Sequence, residues 1–123
     1  MLVVAAALVA LLGIAHSILG EVAIIRPMER QTQLPKLRGA DFPLNTIRFA
    51  WHVTSLLALG FAVVLLQLAS GIPPHAVVAA IGWTLLACSV LPLVWSRGRH
   101  PSWIIFIIAG ALCLLSAAGI AWQ

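Results

Sequence analysis

Apolar residues fill this chain in four long blocks separated by three polar connectors. A helix needs about 20 consecutive, mostly apolar residues to cross the hydrocarbon core of a bilayer. Four segments meet that requirement, at about 2–25, 46–69, 75–95 and 102–122. The first connector, residues 26–45, is long, basic and carries three prolines, and Asp41 or Asn45 is placed to cap the helix that follows. The second, "SGIPPH", is short and uncharged, and the third, "SRGRHPS", is short and basic. The pattern predicts an all-α polytopic membrane protein, a single four-transmembrane-helix bundle over residues 1–123. The opening stretch "MLVVAAALVALLGIAHS" lacks a basic leader and stays apolar past any plausible cleavage point, so it reads as a retained first helix.

Composition narrows the class. With 63% hydrophobic and 8% charged residues, the chain has too little charge to cover a soluble domain. No glycine-rich phosphate loop and no soluble catalytic segment is present in the sequence. The net charge of +4 would suggest nucleic acid in a soluble protein. Here the basic residues lie between apolar blocks, which points to topology and to membrane lipid as partner, with no nucleic acid. Every Lys and Arg falls in the first connector, at the start of the second block or in the third connector. The positive-inside rule therefore places loop 26–45 and the third connector in the cytoplasm and both termini on the non-cytoplasmic side. Trp51, Trp95, Trp103 and Trp122 fall near block ends, as an aromatic belt requires, whereas Trp83 is expected to pack inside. Cys88 and Cys113 have no zinc-motif spacing and read as small buried hydrophobes. Pro92 predicts a kink in the third helix.

The candidate chemistry sits in the first two blocks. At about 100° per residue, Gly13, His16, Ser17, Gly20 and Glu21 share one broad face of the first helix, with His16 and Glu21 at its edges, about 140° apart. Between those edges Gly13, Ser17 and Gly20 form a strip of small residues that lets another helix approach. In "TIRFAWHVTS", Asn45, Arg48, His52 and Ser55 fall on one face by i,i+3 and i,i+4 steps. The two helices run antiparallel, and depth along each, at about 1.5 Å per residue, sets Glu21 opposite Arg48 and His16 opposite His52 and Ser55. These five residues define an expected cytoplasm-facing pocket between helices 1 and 2. Intramembrane ionisable groups are costly and mark function by default. The structural alternatives are an arginine that snorkels, a Glu21–Arg48 pair that only clamps the hairpin, and histidines that only bond nearby hydroxyls. Thr84, Ser89 and Ser116 are expected to bond their own helix backbones, and His75 and His100 to be solvated. Ala109, Cys113 and Ala117 form a packing seam.

Four functions are compatible with these residues. The first is binding or transport of a small ligand or proton, in which a membrane carboxylate beside histidines exchanges a proton against a cationic or neutral substrate. In length, helix number and the Glu21-Val22 dipeptide the chain resembles the small multidrug resistance transporters, although its long basic first connector differs from their short loops. The second is metal or haem binding through His16 and His52, with Glu21 or Cys88 as a third group. The third is an enzyme acting on a lipophilic substrate. The membrane-associated eicosanoid and glutathione enzymes share the four-helix topology, but "RFAWHVTS" does not match their second-helix motif. The fourth is an accessory subunit of a larger membrane complex, or a homo-oligomer, that uses the small-residue faces for contact. "HSILGE" followed by "RFAWHVTS" resembles small bacterial membrane proteins, so a bacterial inner (plasma) membrane is the expected location.

Overall fold

The computed structural model describes residues 1–31 and 42–119. Every regular element among them is helical: α1 (Leu2–Leu19), a π-helical segment (Gly20–Ile25), α2 (Arg26–Glu29), α3 (Phe42–Ala69), α4 (Pro74–Trp95) and α5 (Ser102–Ala117). Three stretches are long and apolar enough to cross a membrane: Leu2–Glu29, Phe42–Ala69 and Pro74–Trp95. The apolar α5 is shorter, and the expected end of the fourth block, with Trp122, lies outside the described residues. Each of the two longest stretches has 28 residues, roughly 42 Å at 1.5 Å per residue.

The helices pack in chain order, α1 on α3, α3 on α4 and α4 on α5. Between α3 and α4 the chain reverses at Gly71, whose φ of +65° is a conformation that favours glycine. Pro74 then occupies the first turn of α4, where its missing N–H costs nothing. Between α4 and α5, Gly98 adopts φ +73° and its N–H donates to the Leu93 carbonyl at 2.9 Å. The inner core is small and centres on Phe49, Val53 and Cys88. Outward faces are apolar: Leu8, Leu11, Leu12 and Leu19 of α1 are each more than 60% exposed. An exposed apolar surface on this scale is foreign to a soluble monomer.

Several expectations change at this level. The first helix does not stop near residue 25 but continues to Glu29, straight through Pro27. A proline inside a helix removes one hydrogen bond and its ring clashes with the preceding turn. Here that turn is widened, with the Arg26 N–H bonded to the Glu21 carbonyl five residues back. The second helix begins at Phe42 rather than 46, so Asn45 lies within it and caps nothing, and Asp41 lies outside the described residues. Trp83 faces outward, 64% exposed, because Gly82 beside it takes the packed side of α4. That side meets α5 at a glycine pair: a side chain on Gly82 would run into the Gly110 carbonyl, and one on Gly110 into the Gly82 carbonyl. Ala109, Cys113 and Ala117 of α5 are half-buried. His100 is not simply solvated: its ring sits edge-on to Phe49 at 5.0 Å and its Nδ1 is 2.8 Å from the Ser102 hydroxyl. This contact also sets the basic α4–α5 turn beside the N-terminal part of α3, at the same end as Arg48.

Candidate functional site

The α1–α3 interface is built around glycines. Gly13 lies against the Ser55 carbonyl and the Ala58 methyl, and a Cβ on Gly20 would overlap the indole of Trp51. Trp51 is therefore a wedge between helices and not a belt residue. Its Nε1–H donates to the His16 carbonyl at 2.9 Å, and its ring stacks on the His16 ring with 4.5 Å between centroids. Close backbone approach lets short polar side chains reach across. The two helices exchange reciprocal pairs: His16 Nδ1 lies 3.0 Å from Ser55 Oγ, and His52 Nδ1 lies 2.6 Å from Ser17 Oγ.

His52 has a second partner. Its Nε2 lies 3.3 Å from Glu21 Oε2, and its ring stacks on Trp95 at 5.3 Å. An ionised carboxylate only accepts, so Nε2 carries the proton. In the neutral ring Nδ1 then accepts from the Ser17 hydroxyl; in the protonated ring it donates to Ser17 Oγ. Ser17, His52 and Glu21 thus form one continuous hydrogen-bonded chain.

Arg48 anchors that chain. Its Nε donates to Glu21 Oε2 at 3.3 Å, while Nη1 and Nη2 grip Glu29 at 3.3 and 2.7 Å in a bidentate fork. Glu21 also accepts from Arg26 Nε at 3.4 Å. The expected Glu21–Arg48 contact is present, but the closest carboxylate is Glu29, a residue the sequence pattern assigned to the connector. Helical phasing explains the convergence. In an unbroken α-helix Glu21 and Glu29 would lie about 80° apart. The π turn between them takes up one extra residue, removes about 100° of rotation and leaves them about 20° apart. Two of the chain's three acidic residues thereby meet one guanidinium that is only 9% exposed.

A cleft of about 400 Å³ opens next to this network. Ser17, His52 and Ser55 supply its polar lining, and Ile14, Ile18, Leu56, Leu59, Leu91 and Trp95 most of its apolar walls. The lining comes from α1, α3 and α4, so α4 contributes a wall that helix-pair reasoning on the first two blocks left out. Glu21 and Arg48 lie beyond the cleft lining and act on it through His52. His16 faces the other side of the interface, in a cleft of about 200 Å³ with Thr54 and Ala58. The five expected site residues therefore belong to one interface, but His52 faces the larger cleft, His16 the smaller one and Ser55 both, while Glu21 and Arg48 line neither. Ser17 and Trp95, which the sequence placed in a packing strip and a belt, join the site. A signal for Ser17 was available, since it is a hydroxyl on the same broad face as His16 and Glu21.

Chemically, hydroxyl, imidazole and carboxylate in series are the groups of an acyl-transfer triad. Ser17, however, lies inside α1, where backbone N–H groups are consumed by the helix, and acyl transfer needs free donors at the developing oxyanion. Among the described residues no group of three or more His, Cys, Asp or Glu side chains is placed to hold a metal ion. His16 and His52 stack on different tryptophans, and both ring nitrogens of His52 already have partners. The arrangement suits hydrogen bonding and proton exchange at His52. No family model matches the chain, and neither a curated protein nor a solved structure is detectably similar to it.

Proposed function

We propose that this chain is an integral membrane protein, inserted in a bacterial inner membrane with both termini on the non-cytoplasmic side, that binds or carries a small ligand in exchange with a proton at His52. The observation that carries this reading is the hydrogen-bonded chain Glu21–His52–Ser17, clamped at one end by Arg48 and ending at the other on the larger cleft. Membrane insertion is supported by the apolar outer faces and by the basic residues gathered at one end, with Arg26 and Arg30 beyond α1 and Arg97 and Arg99 between α4 and α5. A ligand group that bonds Ser17 displaces the hydroxyl from Nδ1. Nδ1 is then open to a proton, and the Glu21 carboxylate at Nε2 is in place to balance the charge.

Two measurements test the reading. Cysteines at Gln31 and Ser70, in a background with Cys88 and Cys113 replaced by Ala, should react from opposite sides of inverted vesicles, Gln31 from the cytoplasmic side. Native mass spectrometry of protein extracted in mild detergent should then find a small molecule on the wild type that Ser17→Ala and His52→Asn lose while helicity is retained. Equal small-molecule content in all three proteins would leave the polar network a purely structural clamp. The accessory-subunit reading would gain if a second protein, and no small molecule, stayed bound.

A further inference from the structure

The larger cleft also specifies the charge class of its ligand, an inference that rests on the ligand-binding reading above. Among the described residues, no Asp, Glu, Lys or Arg lines it. The two carboxylates nearest to it are already committed, Glu21 to Arg48, Arg26 and His52, and Glu29 to Arg48. Two carboxylates and two guanidiniums leave this cluster neutral as it stands. Among the described residues, a cationic ligand would find no carboxylate to pair with in the cleft, and an anionic one would meet no guanidinium or ammonium. This count holds for the neutral His52 ring; a proton on it would add one positive charge, shared with the Glu21 carboxylate at 3.3 Å, while its other neighbours, Ser17 and Trp95, are uncharged. An unpaired charge among apolar walls is strongly disfavoured. What the lining does offer is two hydroxyls and an imidazole on one side and hydrocarbon on the rest. Its rim is open, since Ile14 and Ile18 are 48% and 58% exposed on the outer face of α1.

We infer that the ligand is a neutral lipophilic molecule with a single hydrogen-bonding head group, a long-chain alcohol or carbonyl compound, that enters sideways from the apolar phase. The head inserts between the Ser17 hydroxyl and His52 Nδ1, replacing their mutual bond, and the chain lies along Leu91 and Trp95 and leaves past Ile18. The volume, about 400 Å³, falls in the lower part of the range of small-molecule sites, about 300–1,000 Å³.

Three photoreactive probes of equal chain length test this on full-length protein in nanodiscs: a diazirine-bearing fatty alcohol, the matching quaternary ammonium and the matching sulfonate. The alcohol should label peptides carrying Ile18 and Leu91 about tenfold more than either charged probe, the ratio that roughly one hydrogen bond of differential binding provides. Ser17→Ala should cut that labelling. Ile18→Trp, which fills the rim without touching the polar chain, should abolish it and guards against loss through misfolding. Preferential labelling by the ammonium or the sulfonate would overturn the neutral class while leaving the binding site standing. Absence of cleft labelling by all three probes would overturn both.

Discussion

The interface between α1 and α3 and that between α4 and α5 solve the same problem with different chemistry. Both bring two apolar helices together, and both use glycine to do it. At Gly82 and Gly110 the backbones meet directly, and the polar side chains of α4 turn back on their own helix: Thr84 to the Ala80 carbonyl and Ser89 to the Leu86 carbonyl. At Gly13 and Gly20 the space is used to seat Trp51 and to let His, Ser, Glu and Arg reach across. Packing alone suffices for the first pair, so the polar groups of the second are not required for helix association as such. Helices in lipid associate through close packing, and a cross-helix hydrogen bond adds little on average. The difference locates the part of the molecule where polar side chains of two helices are brought together.

The largest effect should come from Arg48. Arg48→Gln leaves two carboxylates without their guanidinium and should cost about 3–5 kcal/mol, read as loss of thermal stability in detergent. Glu29→Gln should cost less, about 1 kcal/mol, because Glu29 is half exposed. The double variant should cost less than the sum of the two. Additive losses would mean that Arg48 and Glu29 do not act as a pair, and the contrast between the two interfaces would weaken.

Overpacking should hurt both interfaces to a similar degree but in distinguishable ways. Gly20→Leu and Gly110→Leu are each expected to cost about 1–3 kcal/mol. Only Gly20→Leu should shift the indole signal of Trp51 and break its bond to the His16 carbonyl, visible in nitrogen-15 NMR. If Gly110→Leu moved the same signals, the two halves would form one coupled unit.

A smaller effect separates the hydroxyls. Ser17→Ala should cost about 0.6 kcal/mol, the average for a hydrogen bond between membrane helices. It should leave the proton of His52 on Nε2, where Glu21 holds it, and move only the Nδ1 resonance, again read by nitrogen-15 shifts. Thr84→Val keeps the shape that fits Gly60 and should stay within about 0.5 kcal/mol of the wild type. A larger loss for Thr84→Val than for Ser17→Ala would reverse the assignment of functional and structural hydroxyls.

The last expected effect is none at all. A long-chain fluorophosphonate should leave Ser17 unmodified after prolonged exposure, because helical backbone N–H groups cannot hold the oxyanion. Stoichiometric modification of Ser17 would turn the site into a membrane hydrolase.

Periodicity and composition alone determined the all-helical architecture and its four apolar helices, because block length and the scarcity of charge leave few other ways to satisfy a buried backbone; the structure makes three of the four long enough to cross a membrane. They also aligned His16 with Ser55 and Glu21 with Arg48, since depth along antiparallel helices follows from a constant rise per residue. Tertiary structure decided the rest. Glu29 joins the site because a π turn ahead of Pro27 rotates the helix end, and a fixed 100° step cannot anticipate that. Trp51 enters the interface because Gly20 leaves room for an indole, a fit between two residues 31 positions apart. Trp95 and Leu91 close the cleft because α4 packs on α3, and the pattern of one helix pair carries no information about the third. Local periodicity records which face of a helix is polar; what that face meets depends on contacts between residues far apart in the chain.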